Sequence, residues 1–371
     1  MIYLDNAATT LQKPPQVMRG VMRAMQRCAN PGRGGHEAAM AAAELLYQAR
    51  ETAAELFDAS AEQVVFTMNA THGLNMAIRS VARRGSRVVV SGFEHNAVMR
   101  PLQAVGATVV PASSALFDPE RTVKDFSAAV TEQTRAVIVN HISNVFGYVQ
   151  PLEEIADLCR ARGVPLIVDA SQSAGVIPIS LRKLDAAFIA MPGHKALYGP
   201  QGTGLLLCGS LPEPLLYGGT GSQSESFEMP DFLPDRAEAG TQNVHGVAGL
   251  LEGMRFVQRR QTGIQRHERR LRQLLCDGLA SLNGVMVFDG GREQSGVVSF
   301  IPGQMDCEAM ASALADRGIA VRAGLHCAPL AHRSADTLAR GTVRASVSAF
   351  TTEAEIRAFL VAVQEILKKQ A

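Results

Sequence analysis

The sequence predicts an α/β fold built on a mostly parallel sheet, followed by a smaller α+β unit, and three observations carry that prediction. Short apolar runs of strand length recur through the first two-thirds of the chain. Several are apolar throughout, the pattern of strands covered on both faces. Helical stretches lie between many of them, and such alternation builds a parallel sheet through crossover connections. From about residue 255 the texture changes to an arginine-rich amphipathic helix and a second set of short strands.

Taken in order, residues 36–57 (HEAAMAAAELLYQARETAAELF) put Leu45, Leu46, Ala49, Ala53 and Leu56 on one helical face. Strand-length runs follow at 63–67 (QVVFT), 86–92 (SRVVVSG), 134–140 (TRAVIVN), 164–170 (VPLIVDA), 185–191 (DAAFIAM) and 204–208 (GLLLC). Residues 151–163 (PLEEIADLCRARG) read as a connecting helix. Beyond the long helix, strands are expected at 285–288, 296–301, 319–324 and 342–348, alternating with helices at roughly 306–317 and 352–369. The arginines of the long helix read as a solvated face.

The chain has 371 residues, 47% hydrophobic and 19% charged, enough for a sizeable core. A net charge of +1 offers no field for nucleic acid. No apolar run reaches the ~20 residues that cross a bilayer. The start, MIYLDNAATT, lacks the basic and apolar regions of a signal peptide. A cytoplasmic enzyme without nucleic-acid or membrane partners is expected. Cys28, Cys159, Cys208, Cys276, Cys307 and Cys327 show no metal-type spacing, so they are expected to be reduced and mostly buried, with no metal site.

Ligands of an open parallel sheet bind beyond the carboxyl ends of its strands. Polar residues that follow the apolar runs are therefore the site candidates. After VVFT come Ala70, Thr71 and His72 at a helix start, where free N–H groups favour a phosphate; a plain N-cap is the alternative. His95 follows RVVVSG, and Asn144 lies just past AVIVN. VPLIVD ends in Asp169, with Gln172 nearby; a carboxylate in that position calls for a cationic partner such as a protonated ring nitrogen. The run DAAFIAM delivers PGHK, with His194 and Lys195.

Lysine is rare in this chain: Lys13, Lys124, Lys183, Lys195, Lys368 and Lys369 are its lysines, and every other basic position is arginine. A buried amine can lose its proton and act as a nucleophile, which a guanidinium cannot do. An acid, a lysine and a helix-start phosphate site at successive strand ends are the parts a pyridoxal phosphate enzyme needs. A second nucleophile candidate, Cys327, lies on a loop after Gly324 and His326. The adjacent imidazole and Arg322 are expected to favour its thiolate, and a structural cysteine is the alternative. Arg344 suits a substrate carboxylate.

The stretches YLDNAATT (3–10), GFEHNA (92–97), HISNVFG (141–147), VDASQS (168–173), GHKALYGPQGTG (193–204), EAGTQN (238–243), RAGLHCAP (322–329) and VRASVSAFTT (343–352) resemble the cysteine desulfurases, fold-type I pyridoxal phosphate enzymes of the class V aminotransferase group. The likeness spans essentially the whole chain in the right order. It implies a seven-stranded-type sheet sandwiched by helices in a large domain at 16–254, a small α+β domain at 255–371, and an N-terminal segment, 1–15, joining the small domain and the active site. It implies a cytoplasmic homodimer that acts on L-cysteine, passes sulfur to an acceptor protein and serves iron–sulfur cluster assembly. By position, Lys195 would be the Schiff-base lysine and proton shuttle, Asp169 the pyridinium partner, His95 the ring-stacking residue and Gln172 the contact to the ring hydroxyl. Ala70, Thr71, His72, His194 and Thr241 of a neighbouring subunit would surround the phosphate. Asn144, Arg322 and Arg344 would hold the substrate, and Cys327 would accept its sulfur. The compact loop between Cys327 and Arg344 resembles group II members, and selenocysteine lyases share the layout. Pro192, His72 and Leu325 depart from the usual pattern.

Overall fold

The computed structural model describes residues 1–32, 34–112 and 115–369. The chain opens with strand β1 (Ile2–Tyr3) and helices α1 (Pro15–Arg27) and α2 (Glu37–Phe57). A first set of strands then alternates with helices: β2 (Val64–Thr67), α3 (Ala70–Val81), β3 (Arg87–Val90), α4 (Asn96–Val105), β4 (Thr108–Pro111), α5 (Pro119–Ala129), β5 (Thr134–Asn140), α6 (Leu152–Arg162), β6 (Leu166–Asp169), α7 (Leu181–Leu184), β7 (Phe188–Pro192) and β8 (Gly204–Cys208). These strands form one seven-stranded sheet in the order β2-β8-β7-β6-β5-β3-β4. All neighbours are parallel except those of β8, which runs against both β2 and β7.

The fully apolar strands are explained by two cores, one on each face of the sheet. Val137 and Val139 of β5 point into a core with Leu46, Phe57, Phe126 and Ile155, whereas Ala136 and Ile138 point into the other with Leu74, Ile78, Val98 and Leu102. Helices cover both faces, so every position of β5 except Arg135 near its start is buried.

Helix α8 (Val244–Ala280) has 37 residues and is about 55 Å long. Its first turns place Val244, Val247, Leu250 and Met254 in the core of the large sheet. Its last turns place Leu271, Leu275 and Leu279 in a separate core. That second core lies on a four-stranded antiparallel sheet of β9 (Val285–Val287), β10 (Val297–Pro302), β12 (Arg322–Gly324) and β13 (Thr342–Ser346), with α9 (Cys307–Ala315) and α11 (Glu353–Lys368) against it. Strand β11 (Ile319–Ala320) pairs with β1 instead, so the chain's first residues belong to this unit through Leu4, which is fully buried there. A short helix, α10 (Pro329–Ser334), follows β12.

The expected run 319–324 is thus two strands that serve different sheets. Elements α1, α4, β4 and α5 carried no clear sequence signal; β4 is a half-exposed edge strand ending in Pro111, which weakens its pattern. On α8, Arg259, Arg260, Arg266, Arg269 and Arg270 are exposed as expected, but Arg272 is buried and paired with Asp289 at 2.7 Å. No helix among the described residues is long and apolar enough to cross a membrane.

Candidate active site

The carboxyl ends of β2, β3, β5, β6 and β7 open onto one cavity, lined by Ala70, Thr71, His95, Asn144, Asp169, Gln172, His194 and Lys195. The sequence had singled out each of these eight. Asp169 closes β6 at 4% exposure, and its Oδ1 accepts the N–H of Ser171 at 2.9 Å. Its other oxygen has no hydrogen bond among the described residues.

Next to it in the sheet, β7 ends at Pro192 and turns through Gly193 and His194 to Lys195. The N-terminal segment clamps this turn. Lys13 Nζ donates to the His194 carbonyl at 2.8 Å, and Thr10 Oγ1 reaches the carbonyls of His194 and Lys195 at 3.0 Å each. From the β6 side, Gly175 lies so close to the Ala196 carbonyl that a Cβ would stand 2.3 Å from it, and its φ of +92° also favours glycine. Lys195 Nζ has no hydrogen bond or ion pair among the described residues. Burial pushes its amine down to about 8 against the pull of Asp169, with Arg344 reinforcing the fall.

His95 caps α4, its Nδ1 accepting the N–H of Ala97 at 3.0 Å. That bond assigns the proton of the neutral ring to Nε2. Burial lowers its pKa, opposed by Asp169. At the start of α3, Asn69 Oδ1 takes the N–H of His72 at 2.9 Å, leaving the N–H groups of Ala70 and Thr71 free toward the cavity. Gln172 donates to the Ala7 carbonyl at 2.9 Å, and His194 Nδ1 lies 3.0 Å from Thr9 Oγ1.

His72 and Thr241 lie elsewhere, together on a second cavity that also touches Glu238 and Asn243. His72 Nδ1 accepts the N–H of Met68, and its buried Nε2 has no partner among the described residues.

The substrate-side candidates meet at Asp5. Arg322 and Arg344 stand opposite each other in the β12–β13 register, a like-charge pairing that would be unfavourable alone. Asp5 lies between them, accepting from Arg322 at 2.9 and 3.0 Å and from Arg344 at 2.8 Å. Arg344, 2% exposed, also donates to the Asn144 carbonyl, while its Nε and Asn144 Oδ1 are buried without partners among the described residues. Asp5→Asn leaves the buried Arg344 without its counter-charge. It is expected to lower unfolding stability by about 3 kcal/mol, measured by denaturant titration.

Cys327 is exposed on a loop docked to the cavity rim, with Asn144 Nδ2 donating to the His326 carbonyl and the Asn96 N–H to that of Cys327, both at 2.8 Å. The expectation that the adjacent imidazole assists the thiolate is corrected. His326 and Cys327 both have left-handed backbone (φ +49° and +57°), which turns the His326 ring inward. There it is buried, bonds the Thr342 carbonyl and stacks on His332, and burial depresses its pKa strongly. Cys159, Cys208, Cys276 and Cys307 are buried and Cys28 half-buried, as expected.

Three residues that the sequence reading passed over belong to the site: Asp5, Asn140 and Glu94. Asn140 lines the cavity, and Glu94 is fully buried behind it, accepting from Ser91 Oγ at 2.5 Å and from the Asn140 N–H at 2.8 Å. The register opposing Arg322 to Arg344 was the signal that could have found Asp5.

Burial also gives stability a defined pH dependence. His141, His194 and His332 are pushed down to about 4, and His72, His95 and His326 are lowered too. The stability they contribute is present above the ordinary histidine value of 6.5 and is lost as pH falls toward 4. Glu94 and Glu268 are raised from 4.5 to about 8, so their contribution is present below 4.5 and is lost as pH rises to 8. The histidines outnumber the acids between 4.5 and 6.5, and from 6.5 to about 8, where Lys13 and Lys195 begin to lose their protons, the acids dominate. The thermal midpoint is expected to peak near pH 6.5; a midpoint that goes on rising as pH is lowered from 6.5 to 5 would contradict this.

A depressed lysine amine and a buried carboxylate on neighbouring strand ends, facing free helix-start donors, form the donor set of a pyridoxal phosphate enzyme. The chain belongs to the aminotransferase class-V family, whose model matches residues 2–359. It is 35% identical to a probable cysteine desulfurase of Methanothermobacter thermautotrophicus over 98% of this chain and 94% of that protein. A Xylella fastidiosa protein of the same description is 32% identical over 99% and 91%. Among solved structures, the apo cysteine desulfurase of Thermococcus onnurineus NA1 superposes with a TM-score of 0.91 at 30% identity, covering 99% of this chain and 95% of that one. A cysteine desulfurase from Escherichia coli gives 0.85 at 29%, covering 99% and 94%.

Proposed function

We infer that the protein is a pyridoxal phosphate-dependent cysteine desulfurase, converting L-cysteine to L-alanine and taking the sulfur on Cys327 as a persulfide. The observation that carries this reading is the unpaired Lys195 amine beside Asp169, with an exposed thiol on a loop bonded to the same rim. The residues fit the cofactor. The unpartnered oxygen of buried Asp169 suits a ring N–H, and the free N–H groups of Ala70 and Thr71, with His194, suit a phosphate. His95 and Gln172 would contact the ring, and Lys195 would carry the covalent attachment. When bound, the cofactor supplies an electron sink joined to the substrate amine.

Arg344 would hold the substrate carboxylate with its Nε donor, while the free Asn144 amide oxygen, which only accepts, would face a hydrogen-bond donor beside that carboxylate. Arg322, half-exposed, adds positive charge at the entrance. Lys195 Nζ, with its pKa near 8, takes the Cα proton. The Cys327 thiolate then attacks the substrate sulfur. The S–S bond forms as the Cβ–S bond breaks, and the carbon fragment is protonated to alanine.

We further propose a homodimer. Met18, Met22 and Met25 are exposed on one face of α1, and Tyr217 and Phe227 are exposed in the segment leading to Thr241. A second copy over these surfaces would bring Thr241 toward its neighbour's phosphate. Division of the chain into segments 1–15, 16–254 and 255–371 is supported by the separate cores, with α8 running through the second boundary. The exposure of Cys327 favours transfer of its sulfur to an acceptor protein, and free cysteines favour a reducing compartment such as the cytoplasm.

Incubation with L-cysteine and with L-selenocysteine tests the assignment. Alanine is expected from cysteine at a rate that saturates with substrate. Alanine from selenocysteine alone would assign the protein to the selenocysteine lyases instead.

A further inference from the structure

A third cavity adjoins the active site on the far side of Lys195, between the large sheet and the small one. It is lined by Lys195, Tyr198, Glu268, Ser295 and Ser346, among others, with a volume of about 30 Å³. That is roughly twice what one water needs, and the lining is polar enough to hold it. Glu268 projects from α8 at 5% exposure, and no hydrogen bond or ion pair reaches its carboxyl group among the described residues. The carboxyl lies against the backbone of Gly296, where a Cβ would stand 3.1 Å from Oε2. Ser295 Oγ, on the same cavity, is also buried without a partner among the described residues. The Tyr198 hydroxyl accepts the Ala349 N–H at 2.9 Å and keeps its own proton to donate. Two unsatisfied buried polar groups on one small cavity call for water, because each would otherwise pay its full desolvation cost.

We propose that Glu268 is a proton-storing residue for Lys195, the two exchanging a proton through water held in this cavity. The proposal rests on the reading of Lys195 as the base for the Cα proton. Cysteine and alanine carry the same number of hydrogens, so a desulfurase using a thiolate must carry the substrate's thiol proton to Cβ while Lys195 handles the Cα proton. A single amine cannot hold both. Protonated Glu268 re-protonates the Lys195 amine after that amine has given its proton to the substrate carbon. The carboxylate left behind recovers the proton released by the substrate thiol, and no net charge remains in the cavity.

The surroundings suit this role. Of the titratable groups around Glu268, Lys195 and Tyr198 share its cavity, and the nearest on its own helix are already engaged. His267 is bonded to the Thr351 carbonyl and Arg272 to Asp289. The other polar side chains of the lining, Asn6, Thr10, Gln172 and the serines, do not titrate. Burial raises the Glu268 pKa and lowers that of Lys195, which brings the carboxyl group and the amine closer in proton affinity than they are in water.

Infrared difference spectra of wild-type and E268Q holoenzyme at neutral pH test the stored proton directly. The wild type is expected to show a carboxylic-acid carbonyl band that E268Q lacks and that fades as pH rises through about 8. In steady-state assays, E268Q is expected to lose about tenfold in kcat with KM within about twofold, and its pH–rate profile should shift. Y198F leaves the carboxyl in place and is expected to lower kcat several-fold, which covers the case of an unstable E268Q. A wild-type spectrum without the band overturns the proposal. So does an E268Q or Y198F enzyme with wild-type kcat and an unchanged pH profile. Wild-type turnover of cysteine reports on the proposed function separately, so failure of one reading is not mistaken for failure of the other.

Discussion

Lys195→Arg is expected to reduce alanine formation from L-cysteine by at least about a thousandfold while the protein stays folded. The substitution keeps charge and approximate length. What it removes is the ability to lose a proton, because a guanidinium stays protonated at any accessible pH. The local environment is arranged to exploit that difference. Burial lowers the Lys195 amine to about 8, Nζ is tied to no partner among the described residues, and Thr10 and Lys13 hold the turn by its carbonyls rather than by the Lys195 side chain. Circular dichroism and the thermal midpoint distinguish loss of chemistry from loss of fold. A Lys195→Arg enzyme retaining more than about a tenth of wild-type turnover would mean that Lys195 acts only as a fixed positive charge.

Cys327→Ala is expected to stop alanine formation from cysteine to a comparable extent and yet leave proton chemistry at Cα intact. In D2O this variant should still exchange the Cα hydrogen of bound cysteine, because Lys195, Asp169 and Arg344 lie on other elements and are untouched. Cys327 is exposed, so no core packing is lost. Exchange that disappears along with turnover would place Cys327 before the Cα step and contradict its role as sulfur acceptor.

The central strands of the large sheet were legible because their middle residues send alternate side chains into two separate apolar cores, leaving few polar positions to blur the run. β4 was not, since one side of an edge strand faces water and Pro111 ends it. Lys195 and Asp169 were legible because polar residues closing apolar runs lie beyond the carboxyl ends of strands. His72 was harder to read: sequence puts it at the same helix start as Thr71 without saying which way its ring turns, and the ring turns to Met68. Asp5 depends on a partner more than three hundred residues away in a register that only the folded small sheet defines. His326 illustrates the limit of adjacency. It precedes Cys327 in the chain, but two successive left-handed residues aim its ring into the protein rather than at the thiol.

The most direct test of the central claim is a single-turnover incubation of the holoenzyme with L-cysteine and no other thiol. Free alanine is quantified, and the peptide containing Cys327 is weighed by mass spectrometry. One alanine and one added sulfur atom on Cys327 are expected per active site. Alanine formed in that amount with Cys327 unmodified would contradict sulfur transfer to this residue.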